Sequence, residues 1–268
     1  MSEHYYISGH YDQLALGKAI LDEAETLHLT KVMRQKVGDE VLLFDGSGRE
    51  FLARITQIDR QKTQLDILET RQTAKEPKTH LTMAVALPKG ERQKWLIEKM
   101  TELGVKRFIP LETERSDIKI DQNVIERLKR QVIEASKQCG RLKLMEILPK
   151  MTRKEIAERI DFDNDISNER IGQNQLFPPN LLTILSHPIA DGQFDQWNFG
   201  SFFQKYSQHP DGFPQHILIA IGPVGGFSDS EVQAALDDQW MTLDLGTQVY
   251  RVETAAIVAA ALFLHWDE

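Results

Sequence analysis

Residues 217–231 read ILIAIGPVGGFSDSE. The apolar run 217–221 has the length and composition of a buried strand. It leads straight into Gly222-Pro223 and the pair Gly225-Gly226, and Ser228 with Glu231 three positions on is the signature of a capping box at a helix start. Strand, glycine turn and helix in direct succession form a βα unit whose turn lies at the carboxyl end of its strand, the end at which open α/β sheets bind ligands. Gly225 and Gly226 allow positive φ and close approach of the backbone to a ligand. A Walker A loop is excluded, because Phe227 and Ser228 follow the glycines where a lysine is required. The dinucleotide fingerprint fails as well, since Pro223 and Val224 follow Gly222. A ligand cradle and a tight connection without a ligand both remain open on this stretch alone.

Two more strand ends lie nearby in the pattern. LLTILSHP (181–188) ends in Ser186-His187-Pro188, and MTLDLG (241–246) ends in Leu245-Gly246, so three strand ends, with Gly222-Pro223, can line one crevice. ETAAIVAAALFLHW (253–266) is apolar nearly all round, which suits a helix in the core or in a subunit interface. Upstream, LTMAVALP (81–88) and RFIPLE (107–112) read as strands. ERQKWLIEKMTELG (91–104) reads as an amphipathic helix with Trp95, Leu96, Met100 and Leu103 inward and Gly104 as C-cap. A long helix is expected over 121–139, with Val124, Leu128, Val132 and Ala135 at helical spacing. Strands alternating with helices imply a parallel sheet covered on both faces. The stretches 161–180 and 190–215 read as long acidic loops.

Residues 1–75 have a different pattern. Two short runs around Asp45-Gly46-Ser47-Gly48 signal a hairpin over 40–59, TQLDILE (63–69) adds a strand, and 24–39 reads as a helix stopped by Gly38-Asp39. The polar stretch 70–79 contains Pro77, which places a boundary there and gives domains 1–75 and 76–268.

The 268 residues are 41% hydrophobic and 27% charged. No apolar run reaches the ~18 residues of a membrane span. The first residues lack the pattern of a secretory signal. Cys139 is the one cysteine, so an intrachain disulfide is excluded and no metal site is expected. These features fit a cytoplasmic protein. The net charge of −8 is uneven: −2 over 1–75, +6 over 76–160 and −12 over 161–268. The basic middle is compatible with an RNA-facing patch, although charge alone favours a solvated helical surface.

IGPVGGFSDSE (221–231) and LGTQVYRVETA (245–255) resemble the two C-terminal motifs of the SPOUT class of RNA methyltransferases. Within that class the match is to the ribosomal RNA small-subunit methyltransferase E family, which methylates N3 of a uridine in 16S ribosomal RNA. Residues 28–48 resemble that family's PUA-like barrel, 89–105 its first methyltransferase-domain helix, and PLETERS (110–116) and EASKQCGR (134–141) its internal motifs. The resemblance covers nearly the whole chain outside the two acidic stretches. It implies a SPOUT-type α/β domain with a C-terminal trefoil knot behind a small PUA-like β-barrel. It also implies S-adenosyl-L-methionine as cofactor, 16S rRNA or the small ribosomal subunit as partner, and a homodimer through the last helix, with no membrane.

By the same resemblance Leu185, His187, Ile221, Gly222, Gly225, Gly226, Leu245, Gly246 and Thr254 line the cofactor pocket. Arg115 and Arg251 are the candidate catalytic groups, placed to stabilise charge on the uracil carbonyls. Arg34, Lys89, Arg92, Arg115 and Arg141 are the candidate RNA contacts, since a guanidinium donates bidentately to phosphate. Val224 stands where the family has Glu, residues 248–255 read QVYRVETA against RILRTETA, and Met145 stands near the place of a proline. An active enzyme is expected all the same. The alternatives are a ribose 2′-O or guanine-N1 methyltransferase on the same fold, and a non-catalytic RNA-binding protein. Among single residues, His28 is expected to be structural, His187 to be ligand-lining or structural, and Cys139 to be a small buried hydrophobe. Trp95 and Met100 are expected in the core. Glu253 also suits the N-terminus of the last helix through the macrodipole.

Overall fold

Alternation at Val41, Leu43, Phe51, Ala53 and Ile55 gives each arm of the first hairpin one apolar face, and all five residues are buried. The computed structural model describes residues 4–8, 14, 16–72, 75–159, 181–187, 196–207 and 213–265. The chain divides into one unit of residues 1–76 with 130–144 and a second of 77–129 with 145–268.

The first unit holds β1 (His4–Tyr6), β2 (Lys18–Leu21), β3 (Glu40–Phe44), β4 (Arg49–Ile58) and β5 (Thr63–Gln72) in one sheet of order β1-β3-β4-β5-β2. The β1–β3 pair is parallel, the others antiparallel, and β4–β5 is bulged at two places, which increases twist. The sheet closes over Tyr5, Leu21, Leu29, Leu43, Phe51 and Leu65. The helix expected over 24–39 is shorter. It runs as α1 (Glu23–Leu27), capped by Asp22, then widens into a π-turn over His28–Val32 and stops, with Arg34 at φ 57. Thr30 donates to the carbonyl of Thr26 at 2.8 Å, a side-chain bond that competes with the regular helical ladder. Residues 130–144 join this unit through two ion pairs, Lys137–Glu25 and Arg141–Glu76.

The second unit is an eight-stranded parallel sheet. Its strands are β6 (His80–Val85), β7 (Arg107–Glu112), β8 (Glu146–Ile147), β9 (Met151–Thr152), β10 (Leu182–Ser186), β11 (Gln196–Asn198), β12 (His216–Ile221) and β13 (Met241–Asp244). The order is β11-β13-β10-β12-β6-β7, with β8 and β9 both on the far side of β7. Between them run α2 (Glu91–Leu103), α3 (Gln122–Cys139), α4 (Arg153–Ala157), α5 (Phe199–Ser207), α6 (Asp229–Asp237) and α7 (Val252–Leu264). The α3 helix begins in this unit and ends in the first. Gly104 caps α2 in the left-handed conformation, φ 94, as its position predicts.

Three expectations are corrected here. Trp95 is 43% exposed, because it sits one position off the stripe formed by the buried Leu96, Ile97 and Met100. Cys139 is exposed, since it is the last residue of α3 and the helix ends as it turns outward. The stretch 190–215 is no continuous loop. It contains β11 and α5, whose Phe199, Phe202, Phe203 and Tyr206 fall at i, i+3, i+4 and i+7. That aromatic face packs on Phe263 of α7, with the Phe202 ring 5.1 Å from it. The segment 161–180 and Pro188 lie outside the described residues. Among the described residues no helix is long and apolar enough to cross a membrane.

Candidate active site

The three strand ends singled out in the sequence meet. β10 lies between β12 and β13, and Ser186 pairs with both Ile221 and Leu243, so the carboxyl ends are level. Beyond them opens a cavity of about 490 Å³. Its floor is Ser186, His187 and Ile221, its near wall the 222–227 turn, and its far wall Asp244-Leu245 and 248–252, with Arg92 at one side.

The turn is built to keep its shape. Gly226 adopts φ 68 and its N–H donates to the carbonyl of Pro223 at 2.8 Å. A Cβ on Gly222 would come within 3.0 Å of the Phe227 ring, so only glycine fits there without a shift of that ring. The capping box is present: Ser228 accepts from the Glu231 N–H at 3.2 Å, and Glu231 accepts from the Ser228 N–H at 2.9 Å. The other oxygen of Glu231 accepts from the Glu114 N–H at 3.0 Å. Arg115 donates from one nitrogen to the carbonyls of Gly225 at 2.8 Å and Phe227 at 3.2 Å. The segment after β7 is thereby fastened to the glycine turn.

Of the residues proposed for the cofactor, His187, Ile221, Gly222, Gly225, Gly226 and Leu245 line the cavity. Leu185 is buried behind it, and Gly246 and Thr254 lie outside the lining. Gly246, at φ 136, donates its N–H to Asp244 at 3.0 Å and so fixes the loop that carries Leu245. Arg251 lines the cavity as the N-cap of α7, whereas Arg115 stands behind the turn with its guanidinium committed to carbonyls. Of the remaining RNA candidates, Arg34 is an exposed turn residue and Lys89 pairs with Asp117 at 2.9 Å. Arg92 lines the cavity, with Glu253 at 3.7 Å. The Arg141 side chain is 8% exposed and forks onto Glu76 at 3.1 and 2.7 Å. That fork uses the face a phosphate would need. Ser186, at the strand end expected to line the crevice, does line it, whereas sequence reasoning missed Asp244, Gln248, Val249 and Tyr250 as lining residues. Asp244 carried a signal, a lone carboxylate at the end of an apolar strand.

Burial depresses the His187 pKa below its ordinary value; the Asp229 carboxylate opposes this and the Arg115 cation reinforces it. The imidazole is therefore neutral near pH 7. Among the described residues no cluster of His, Cys, Asp or Glu is placed to hold a metal ion.

The model of the RNA methyltransferase domain matches residues 74–264, and that of the RNA methyltransferase PUA domain matches 21–68. A Rickettsia conorii protein named ribosomal RNA small subunit methyltransferase E is 30% identical over 240 residues, 88% of this chain and 84% of that protein. The chain belongs to the ribosomal RNA small subunit methyltransferase E family. A family member from Synechocystis is 29% identical over 93% of this chain and 74% of its own. The structure of a putative methyltransferase from Legionella pneumophila, solved in complex with the bound cofactor SAM, superposes with a TM-score of 0.75 at 26% identity, covering 98% of this chain and 97% of that one. Within the methyltransferase E frame, Val224, the departure in the turn, is 83% exposed and stands at the cavity mouth.

Proposed function

We propose that this chain transfers a methyl group from S-adenosyl-L-methionine to N3 of a uridine in 16S ribosomal RNA, as a cytoplasmic homodimer. The observation that carries the reading is the cavity where β10, β12 and β13 end on the glycine turn. The residues present suit the cofactor. The volume is that of a small-molecule site, the glycines of the turn present no side chain to the cavity they line, and Ile221, Leu245 and Val252 offer apolar contact to a base. Asp244 supplies a carboxylate at the strand end. When bound, the cofactor supplies an electrophilic methyl group on a sulfonium sulfur.

The chain's own work is placement. Arg115 holds the turn, Gly225 and Gly226 admit close approach, and His187, held neutral by burial, adds no further positive charge beside the sulfonium. Arg251, at the cavity and at the start of α7, is the candidate for steadying negative charge on the uracil carbonyls. The trefoil knot belongs to this reading too, by resemblance. So does the dimer. Thr254, Ile257, Val258, Ala261 and Leu262 form a half-buried stripe along α7, opposite its buried face.

Calorimetric titration with S-adenosyl-L-methionine tests the cofactor site. Saturable binding by the wild type, abolished by Gly226→Trp, is the expected result. A folded wild type that binds none refutes the reading. Mass mapping of the methylated nucleoside then separates uridine N3 from ribose 2′-O and guanine N1.

A further inference from the structure

A second cavity, of about 130 Å³, abuts the first. Arg92, Pro223, Val224 and Val252 line both, so the glycine turn and the first residue of α7 form a partition between them. The other walls of the smaller cavity come from the chain leaving β6 and the segment following β7. Leu87, Leu111 and Ile120 are buried and Ile118 is half-buried, giving an apolar slot. Ser116 and the Lys89–Asp117 pair add polar groups. An apolar cavity of roughly 150 Å³ takes one benzene ring. A space of 130 Å³ accordingly matches a single six-membered ring and is too small for the fused rings of a purine.

A positive charge stands at the junction, on the half-exposed Arg92. The Glu253 side chain is 6% exposed, with Oε1 3.7 Å from the Arg92 guanidinium. Its Oε2 is buried with no hydrogen-bond partner among the described residues. Arg92 is the cation paired with this buried side chain.

We propose that the smaller cavity seats the target pyrimidine, with Arg92 facing its imide and Glu253 acting as the positioning residue for Arg92. This rests on the methyltransferase reading of the larger cavity. The N3 proton of uracil lies between two carbonyls, and its loss to solvent spreads negative charge over the nitrogen and both oxygens. A guanidinium where the two cavities meet stabilises that anion while the N3–methyl bond forms and the methyl–sulfonium bond breaks, leaving a neutral thioether. Cytosine has no N3 proton to lose and gains nothing from the same charge. A paired base has to leave its stack to enter.

Ile118 touches the smaller cavity and not the larger, so Ile118→Trp fills the slot and spares the cofactor site. The expected result is unchanged calorimetric binding of S-adenosyl-L-methionine. Single-turnover methyl transfer to 16S rRNA in small subunits falls by about 100-fold or more, the cost of a displaced reactant. At saturating cofactor, Arg92→Gln moves the rate–pH profile to higher pH, Glu253→Gln moves it the same way by less, and Arg92→Lys restores most of the shift. Transfer at the wild-type rate by cofactor-bound Ile118→Trp overturns the proposal and leaves the methyltransferase reading standing. Absence of cofactor binding in the wild type removes that reading and this one with it. Should Ile118→Trp fail to fold, an unshifted Arg92→Gln profile overturns the proposal on its own.

Discussion

Arg115 reads in the sequence as a cation aimed at RNA, yet its guanidinium is spent on the carbonyls of Gly225 and Phe227. Hydrogen bonds to a charged group contribute about 1.5–3 kcal/mol each, so Arg115→Ala is expected to weaken cofactor binding roughly 10- to 100-fold while leaving affinity for RNA nearly intact. Titration of both ligands checks this, and an equal loss of both would return Arg115 to the RNA side. Gly226 is a second case at this scale. Its φ of 68 is one that a side chain adopts at about 1–2 kcal/mol, so Gly226→Ala should lower the melting temperature modestly. His187 sets a pH dependence. Its folded pKa lies below the unfolded one, so the unfolded chain takes up the proton first. Its stabilising contribution is complete above about pH 6.5 and declines as the pH falls below it. Denaturant titrations at stepped pH should show His187→Gln flattening part of that decline, the remainder reflecting groups such as His216, which is depressed by burial and by Lys106 and Arg107. What the sequence makes legible at this scale is backbone. Gly104, Gly226 and the Ser228–Glu231 box announce conformations that only those residues serve well. The partner of an arginine is fixed by distant chain, and Arg115 and Arg141 were unreadable for that reason.

Elements with one clear apolar face were legible, and elements whose face is aromatic or interrupted were not. The α2 and α3 helices carry aliphatic stripes, whereas α5 carries four aromatic residues set among Gly, Ser and Gln and reads as a loop until Phe263 is found beneath it. The helix over 24–39 had a good stop signal in Gly38, but Thr30 turns its hydroxyl onto the backbone and the regular ladder ends first. The pairing of α1 with the end of α3 gives a quantitative expectation. Lys137 and Glu25 meet at 2.8 Å with both side chains 9% exposed. Burial raises the Glu25 pKa against the pull of Lys137, while the Lys137 pKa is raised despite its own burial by the bond to Glu25. Removing one partner of a buried pair costs about 3–5 kcal/mol, and replacing both by apolar groups is often neutral. Lys137→Met should therefore destabilise the first unit by that order in urea denaturation, and the double variant Glu25→Leu/Lys137→Met should recover most of it. A double variant as unstable as the single one would mean that packing, not charge, dominates there.

At the scale of the whole molecule, the strand order is what no local pattern could supply. The α/β class follows from alternation, but the placing of β10 between β12 and β13, which creates the cavity, rests on long-range pairings such as Ile184 with Ile219 and with Met241. The last helix is the exception, because its composition bears on the proposed dimer. One face, Val252, Ala256, Ala259, Ala260, Phe263 and Leu264, is buried within the chain. The opposite stripe holds Ile257, Val258 and Leu262 only half-covered, apolar area that the proposed dimer would bury. In a two-fold dimer each substitution acts twice. Ile257→Asp with Leu262→Asp is thus expected to raise the dimer dissociation constant by about 1000-fold or more, a change of roughly 4 kcal/mol or more. Sedimentation velocity across a concentration series reads this out, with circular dichroism to confirm that the fold persists. Because Arg251, the N-cap of this helix, lines the cavity, the monomeric variant should also bind S-adenosyl-L-methionine more weakly. A variant that still sediments as a dimer places the interface elsewhere. A monomer with undiminished cofactor affinity shows that the cavity is complete within one chain.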